Sequence, residues 1–259
     1  TFNIRNRGSN MRIGKGGKRP PVYKTISFEE ASRFKDEFRF PCKVGISCVG
    51  SRISTVKSGS LKTNPNITIF GGDENYLITA GYELSEGRNF SMTEINTGSN
   101  VALIGQELKK NLFPKSSPIG KEISVGALKV KVIGLLKEKG SSFGFGGDKI
   151  VLLPVLNVRQ HFGSNSMSFV INVLADSPAT IDATVAEATG FFRKIRKLRT
   201  KEPANFELTK SDNLSAMLID NLSFVTIAAT LIAIITLVGA AIGLMNIMLV
   251  SVTERTREI

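Results

Sequence analysis

The sequence has no tryptophan and only one histidine, His161. A metal site built on several histidines is excluded, and a Ser-His-Asp or Cys-His mechanism would have to run through His161 alone. That residue follows a short helical stretch beside Phe162-Gly163 and reads as a surface or helix-end histidine. No G-x-x-x-x-G-K-[ST] phosphate loop is present. Gly14-Lys-Gly-Gly-Lys18 and Gly144-Phe-Gly-Gly147 are rich in glycine but lack that pattern and its strand-to-helix setting. The 24 glycines follow no triplet period, so a collagen helix is excluded. Carboxylates are scattered, and no acid/base pair stands out. The reading is a non-enzymatic chain with no catalytic, cofactor-binding or metal-binding residues of its own.

Cysteine is also scarce. Cys42 and Cys48 are six residues apart in a strand-like stretch. On a straight strand they share a face roughly 20 Å apart, too far for a disulfide. A turn at Gly45 would bring them closer. Free or buried thiols are expected, and the redox compartment stays open.

Charge is plentiful but uneven. The net charge is +12, and residues 1–65 hold fourteen Lys/Arg against four Asp/Glu. Arg5, Arg7, Arg12, Lys15, Lys18, Arg19 and Lys24 all precede the first acid. The plain reading is a solvated basic loop. Anionic lipid headgroups or an acidic partner come next. Nucleic acid is not expected as a partner, because interleaved aromatics and a DNA- or RNA-binding motif are both missing. With 42% hydrophobic residues the chain can bury a core, which rules out wholesale disorder.

One long stretch carries no charge at all, the 33 residues between Asp220 and Glu254. A bilayer core of about 30 Å needs roughly 20 apolar residues in a helix. Residues 224–250 are therefore expected to span a membrane as a helix. Gly239 and Gly243 form a small-xxx-small pair on which another helix can pack closely. Asn246 falls near one end of the span.

Ahead of the span, about 210 residues give mixed signals. Thr1–Asn6 alternates like a strand. Ser27 and Glu30 have capping-box spacing, and Phe28, Ala31, Phe34 and Phe38 share one helical face. Strand signal returns over Lys43–Lys57, which gives β-α-β. Strands are expected at Ile67–Phe70, Val101–Ile104, Glu122–Val125, Leu128–Leu136 and Ile150–Pro154, with the hairpin turn at Gly126-Ala127. Short helices are expected at Asn75–Ala80, Gln106–Phe113 and Leu156–Phe162, and a glycine-rich loop at Lys139–Gly147. The β-α-β pattern then recurs over 167–211. Its helix begins at Ser177-Pro178 and ends in a basic face of Arg193, Lys194, Arg196, Lys197 and Arg199. The fold class is α+β: a β-α-β subdomain split between 1–65 and 166–211, a β-rich insert at 66–165, a stalk helix at 212–223, a transmembrane helix at 224–250, and a charged segment at 251–259.

That charged segment reads Ser251-Val-Thr-Glu-Arg-Thr-Arg-Glu-Ile259. Arginines directly after a span favour the cytoplasmic side, which puts the large domain outside. Ser251 and Glu254 have capping-box spacing, so a new helix would begin there. The chain starts at Thr1, ends inside a charged run, and reads as a piece of a longer protein.

The run from Ala240 to Ile259 closely resembles the signature of MacB/FtsX-type ABC transporter permeases. Asp73-Glu-Asn-Tyr76, Gly87-Arg-Asn-Phe90, Val101-Ala-Leu-Ile-Gly105, Pro118-Ile-Gly-Lys121 and Val132-Ile-Gly134 are similar to that family's periplasmic core domain. The resemblance implies a Porter-like split subdomain, a Sabre-like insert, and an ATPase-coupling helix at Thr253, Glu254, Arg255, Thr256, Arg257 and Glu258. It further implies a homodimer in the bacterial inner membrane with residues 1–211 periplasmic. ATP and Mg would be bound by a partner ABC ATPase subunit or domain. A periplasmic adaptor and an outer-membrane channel are further possible partners. The function implied is efflux or mechanotransmission. Macrolides, peptides, lipoproteins, toxins and cell-wall-hydrolase activation are all tasks of the wider family. A membrane-anchored periplasmic binding or adaptor module without an ATPase is the alternative reading.

Overall fold

The computed structural model describes residues 1–7, 23–139, 148–163, 167–210 and 212–257. The expected loops after Arg7 and after Lys139 lie outside these residues. The chain forms two compact units, Thr1–Thr209 and Lys210–Ile259.

In chain order the first unit begins with β1 (Phe2–Asn6), α1 (Phe28–Glu37), β2 (Cys42–Ser54), β3 (Val56–Ser58), β4 (Leu61–Lys62) and β5 (Ile67–Gly72). It continues with α2 (Tyr76–Thr79), β6 (Leu84–Gly87), α3 (Met92–Thr97), β7 (Val101–Ile104), α4 (Gln106–Leu112), β8 (Glu122–Val125), β9 (Leu128–Leu136) and β10 (Ile150–Pro154). Then follow α5 (Val155–Phe162), β11 (Phe169–Ala175), α6 (Ile181–Ile195) and β12 (Phe206–Lys210). The second unit is dominated by α7 (Asp212–Arg257). The fold is mixed α+β with one long apolar helix, as the sequence pattern predicts.

Local chemistry sets the helix starts. Ser27 Oγ accepts from Glu30 N at 3.1 Å, and Glu30 Oε2 accepts from Ser27 N at 3.1 Å. Two backbone donors that the first turn leaves open are thereby satisfied. Pro178 opens a single 3-10 turn, and α6 follows it at Ile181.

The strands join into one sheet in the order β12-β1-β11-β2-β5-β10-β7-β9-β8-β3-β4, with β6 on β9. Strands β1 and β2 both run antiparallel to β11 and so flank it in parallel. The first β-α-β thus straddles a strand of the second. Strand β5 runs antiparallel to β2 and parallel to β10. Strands β7 and β9 are parallel, and β8–β9 is the expected hairpin. The short β3 pairs with β8, so residues 56–58 belong to the ladder of the β-rich segment and precede the expected boundary at 65.

Alternation decides which side is buried. Along β9, Leu128, Val130 and Val132 are buried while Lys129 and Lys131 are exposed. From Ile133 on every residue is buried, because β6 and β7 flank that half of the strand. Strand β10, between β5 and β7, is buried throughout. Helices α1 and α6 pack together through aromatic rings. Phe34 stacks on Phe38 at 4.7 Å and meets Phe191 and Phe192 edge-on at 5.6 and 5.9 Å. Phe192 in turn meets Phe206 edge-on at 4.8 Å, which seats α6 on β12.

Cys42 and Cys48 are both free thiols on β2. Burial pushes Cys48 up to about 12 and Cys42 up to about 11. Both are protonated at neutral pH and inert as nucleophiles.

Phe192 is fully buried and touches both α1 and β12. Phe192→Ala is expected to cost about 3–5 kcal/mol of unfolding free energy, through lost burial and the cavity left behind. Urea unfolding followed by tyrosine fluorescence tests this, since the chain has no tryptophan.

Candidate functional site

Helix α7 contains the sequence-predicted span. Thr226–Leu249 is a 24-residue window of mean hydropathy 2.5, and its side chains are exposed within the unit. Two hydroxyls in it are satisfied locally: Thr230 Oγ1 donates to Thr226 O at 2.8 Å, and Thr236 Oγ1 to Ile232 O at 3.0 Å. Such back-bonding lets threonine sit in hydrocarbon without an unmet donor. A Cβ at Gly239 or Gly243 would meet nothing within 4 Å, so this face of the helix is open.

Among the expected coupling residues, Thr253, Glu254, Arg255, Thr256 and Arg257 lie in the helical backbone of α7, and Glu258 lies outside the described residues. One expectation is corrected here. No new helix begins at Ser251, because α7 runs unbroken through it. A capping serine satisfies the open amides of a first turn. At Ser251 the preceding turn is already helical and leaves no such amides. At about 1.5 Å per residue, the 46 residues of α7 reach roughly 69 Å.

In the first unit, the five segments that carry the family resemblance meet in space. Gly87 of β6 and Leu103 of β7 both pair with Gly134 of β9. Arg88 N donates to Ile133 O at 3.1 Å, and Gly120 N donates to Val132 O at 2.8 Å. Asn89 Nδ2 donates to Glu74 O at 2.9 Å and ties in the segment Asp73–Tyr76. Gly87 has φ +84, and a Cβ there would lie 2.2 Å from Ile133 O, so only glycine fits. The signature thus encodes a close-packed junction around β9.

Two charge clusters brace this junction. Arg88 grips Glu94 at both oxygens, 2.8 and 2.6 Å, and Ser91 forms a capping box with Glu94 at the start of α3. The Arg88 hydrogen bonds, with the Ser91 amide and hydroxyl, pull the Glu94 carboxyl down to about 2. In the other cluster, Asp73 Oδ2 accepts from Lys35 Nζ at 2.6 Å and from Ile46 N at 2.9 Å. Glu74 Oε1 lies 2.5 Å from the same Nζ. Burial pushes the Asp73 carboxyl up, against the pull of Lys35. Burial also disfavours the Lys35 ammonium, but the two carboxylates outweigh it and hold its pKa above the usual value. A Cβ at Gly45 would lie 2.8 Å from Thr79 Oγ1 and 3.2 Å from Asp73 Oδ1, so the close approach of β2 depends on that glycine.

Helix α1 is thereby held at three points. Lys35 reaches Asp73 and Glu74, Glu29 pairs with Arg159 of α5 at 2.7 Å, and Glu30 pairs with Arg196 beyond α6 at 3.1 Å. Sequence reading missed all three, because the partners are 38, 130 and 166 residues apart. His161 is exposed on α5, with Nδ1 3.0 Å from Asn157 O. Among the described residues, no group of three or more His, Cys, Asp or Glu side chains is placed to hold a metal.

An α+β unit followed by a helix long and apolar enough to cross a membrane is the layout of a membrane-anchored domain. The model of the MacB-like periplasmic core domain matches residues 1–191, and the chain belongs to that family. It is 32% identical over 193 residues to a macrolide export ATP-binding/permease protein MacB of Yersinia pestis bv. Antiqua, a match covering 74% of this chain and 28% of that protein. It is 30% identical over 250 residues to MacB of Neisseria gonorrhoeae, covering 95% and 37% respectively. The chain thus spans little more than a third of these relatives at most. The periplasmic region of MacB from Actinobacillus actinomycetemcomitans matches with a TM-score of 0.64 at 15% identity, over 84% of this chain and 91% of that one. The extracellular domain of the ABC-type transporter YknZ matches with a TM-score of 0.56 at 24% identity, over 72% and 90%. These two likenesses show the fold. The chain thus carries a MacB-like periplasmic core domain followed by one helix long and apolar enough to cross a membrane.

Lys35→Met leaves the buried Asp73 charge unanswered and is expected to cost about 3 kcal/mol of unfolding free energy. Lys35→Met/Asp73→Asn should recover part of that loss. Urea unfolding of the two variants beside the parent decides it. Acid tests the other cluster. A carboxyl held at about 2 when folded contributes stability above its unfolded value of about 4.3 and loses it as pH falls between the two. Glu94→Gln should therefore be less stable than the parent at pH 7 and show a shallower loss between pH 4.5 and 2, read from thermal melts across that range.

Proposed function

We propose that the chain is the permease part of an ABC-type efflux or mechanotransmission transporter. It couples ATP hydrolysis by a cytoplasmic ABC ATPase to a conformational change of its periplasmic unit. The observation that carries this reading is the continuity of α7. One unbroken helix leaves the α+β unit two residues after β12, crosses the apolar window, and ends in the charged segment Thr253–Arg257. A rigid helix transmits displacement along its axis, whereas a flexible linker absorbs it.

In this reading Thr253, Glu254, Arg255, Thr256, Arg257 and Glu258 dock on the ATPase, which binds the ATP and Mg. Gly239 and Gly243 pack a neighbouring membrane helix. The protein works as a homodimer in the inner membrane, with residues 1–211 in the periplasm. There the split Porter-like subdomain and the Sabre-like insert meet a periplasmic adaptor and an outer-membrane channel. Relatives named for macrolide export support efflux as the task.

The complete permease, co-expressed with its candidate ATPase and held in nanodiscs, provides the test. Glu254→Lys/Arg255→Glu is expected to abolish co-purification of the ATPase. A Gly-Ser insertion at Asn213 is expected to leave ATP hydrolysis running while export stops. Export unchanged by the insertion would refute the lever. If no ATPase associates even with the parent, an anchored binding module takes its place.

A further inference from the structure

The basic face predicted at the end of α6 has no part in the span, the charged tail or the β9 junction. The structure makes it one end of a larger cationic surface. Arg7 N donates to Asn205 O at 3.2 Å, and the Arg7 guanidinium donates to Ala204 O at 3.2 Å. Arg196 donates to Lys24 O, Thr25 O and Asn205 Oδ1. Arg193 donates to Arg199 O and Glu202 O. These bonds gather Arg7, Lys24, Arg193, Lys194, Arg196, Lys197, Arg199 and Lys201 around the connection from α6 to β12.

Two carboxylates beside these cations, Glu30 and Glu202, are both engaged. Glu30 is shared between Lys24 and Arg196, and Glu202 accepts from Arg199 N at 3.2 Å. Lys194, Lys197, Arg199 and Lys201 are exposed, and among the described residues none has a carboxylate within ion-pair distance. Lys194 and Lys197 gain from the negative end of the α6 dipole. Arg199 and Lys201 lie beyond its last turn and gain nothing from it.

The surface is also preformed. Arg193 holds the connecting loop by its own carbonyls, so Lys197, Arg199 and Lys201 sit on fixed backbone. Helix α6 closes with a Schellman pair of bonds, Leu198 N to Arg193 O and Lys197 N to Lys194 O, each 3.0 Å. The residue at the left-handed position is Lys197, with φ 53, where glycine is the unstrained choice. A cation occupies a position at which the backbone favours glycine.

We propose that the connection from α6 to β12 is a docking surface for an acidic segment of a partner protein. Fixed cations answer fixed or extended carboxylates without a large ordering cost. The alternative occupant is the anionic bilayer surface. The backbone under these cations is held by Arg193 and by the bonds that close α6, and cations fixed in one geometry suit carboxylates strung along one chain better than freely diffusing headgroups.

The chain in phosphatidylcholine nanodiscs, titrated with poly-L-glutamate at low and at physiological salt, tests this. Arg199→Gln/Lys201→Gln and Lys197→Gly are compared with Lys57→Gln/Lys129→Gln, which removes two cations elsewhere. The first variant is expected to weaken binding about tenfold, and the comparison variant to leave it nearly unchanged. Lys197→Gly should raise Tm, because glycine suits the left-handed backbone, and still weaken binding. That combination separates a binding role from a structural one. Equal weakening by all variants would mean diffuse charge and overturn the proposal. So would loss of binding on neutralising Arg12, Lys15, Lys18 and Arg19 with none on changing the loop. Binding to phosphatidylglycerol vesicles but not to polyglutamate would overturn it in favour of lipid.

Discussion

The globular unit depends on one carboxylate. Glu30 closes the capping box of α1 through Ser27 N, takes Lys24 at 3.0 Å, and pairs with Arg196, whose side chain is 1% exposed. Burial pulls the Arg196 pKa down and Glu30 pulls it back up. A guanidinium removed from water needs partners for its donors. Arg196 meets four of its five, with Glu30, two backbone carbonyls and Asn205, and its Nε–H is buried without a partner. The start of α1, the end of α6 and the approach to β12 are thus fixed relative to one another. Only with these three in place can Phe34, Phe191, Phe192 and Phe206 close the aromatic cluster beneath them.

The β9 junction follows a different rule. There the constraint is space: glycine at 87 and 134 lets three strands approach within backbone contact. The ion pairs around it work as braces. Lys35 reaches from α1 to the β5–α2 corner and Arg159 reaches from α5 to Glu29 of α1, so α1 touches both the split β-α-β strands and the segment inserted between them.

Much of this was legible from residue pattern. Val101–Ile104, Glu122–Val125, Leu128–Leu136 and Ile150–Pro154 appear at their expected bounds, because apolar runs or alternation with turn residues at both ends leave little freedom in register. Strand β6 and helix α3 were not legible. Leu84–Gly87 has little apolar content and is a strand only because β9 offers it an edge. Met92–Thr97 buries Ile95 alone, and its one local signal is the capping-box spacing of Ser91 and Glu94. The continuity of the sheet from β12 to β4 was hidden too, since it rests on pairings such as β2 with β5 and β3 with β8 that no local pattern specifies. The long apolar helix was legible because hydrocarbon imposes a composition on the chain. The partners of α1 were not, because an ion pair across 130 residues leaves no periodic trace.

The same accounting explains where the positive charge ends up. Acids in the first unit are largely spent inward or locally: Asp73 and Glu74 on Lys35, Glu94 on Arg88, Glu30 on Arg196. Each acid fixes an element, and of these only Glu30 also answers cations beside the loop after α6, namely Lys24 and Arg196. The 33-residue apolar stretch accepts no charge of either sign. Excess cations are therefore left at the surface between α6 and β12. That surface closes a rigid helix, where a long cationic side chain keeps its head in water at little cost to the core. A fold that uses its carboxylates as internal fasteners in this way presents a basic face to whatever it meets.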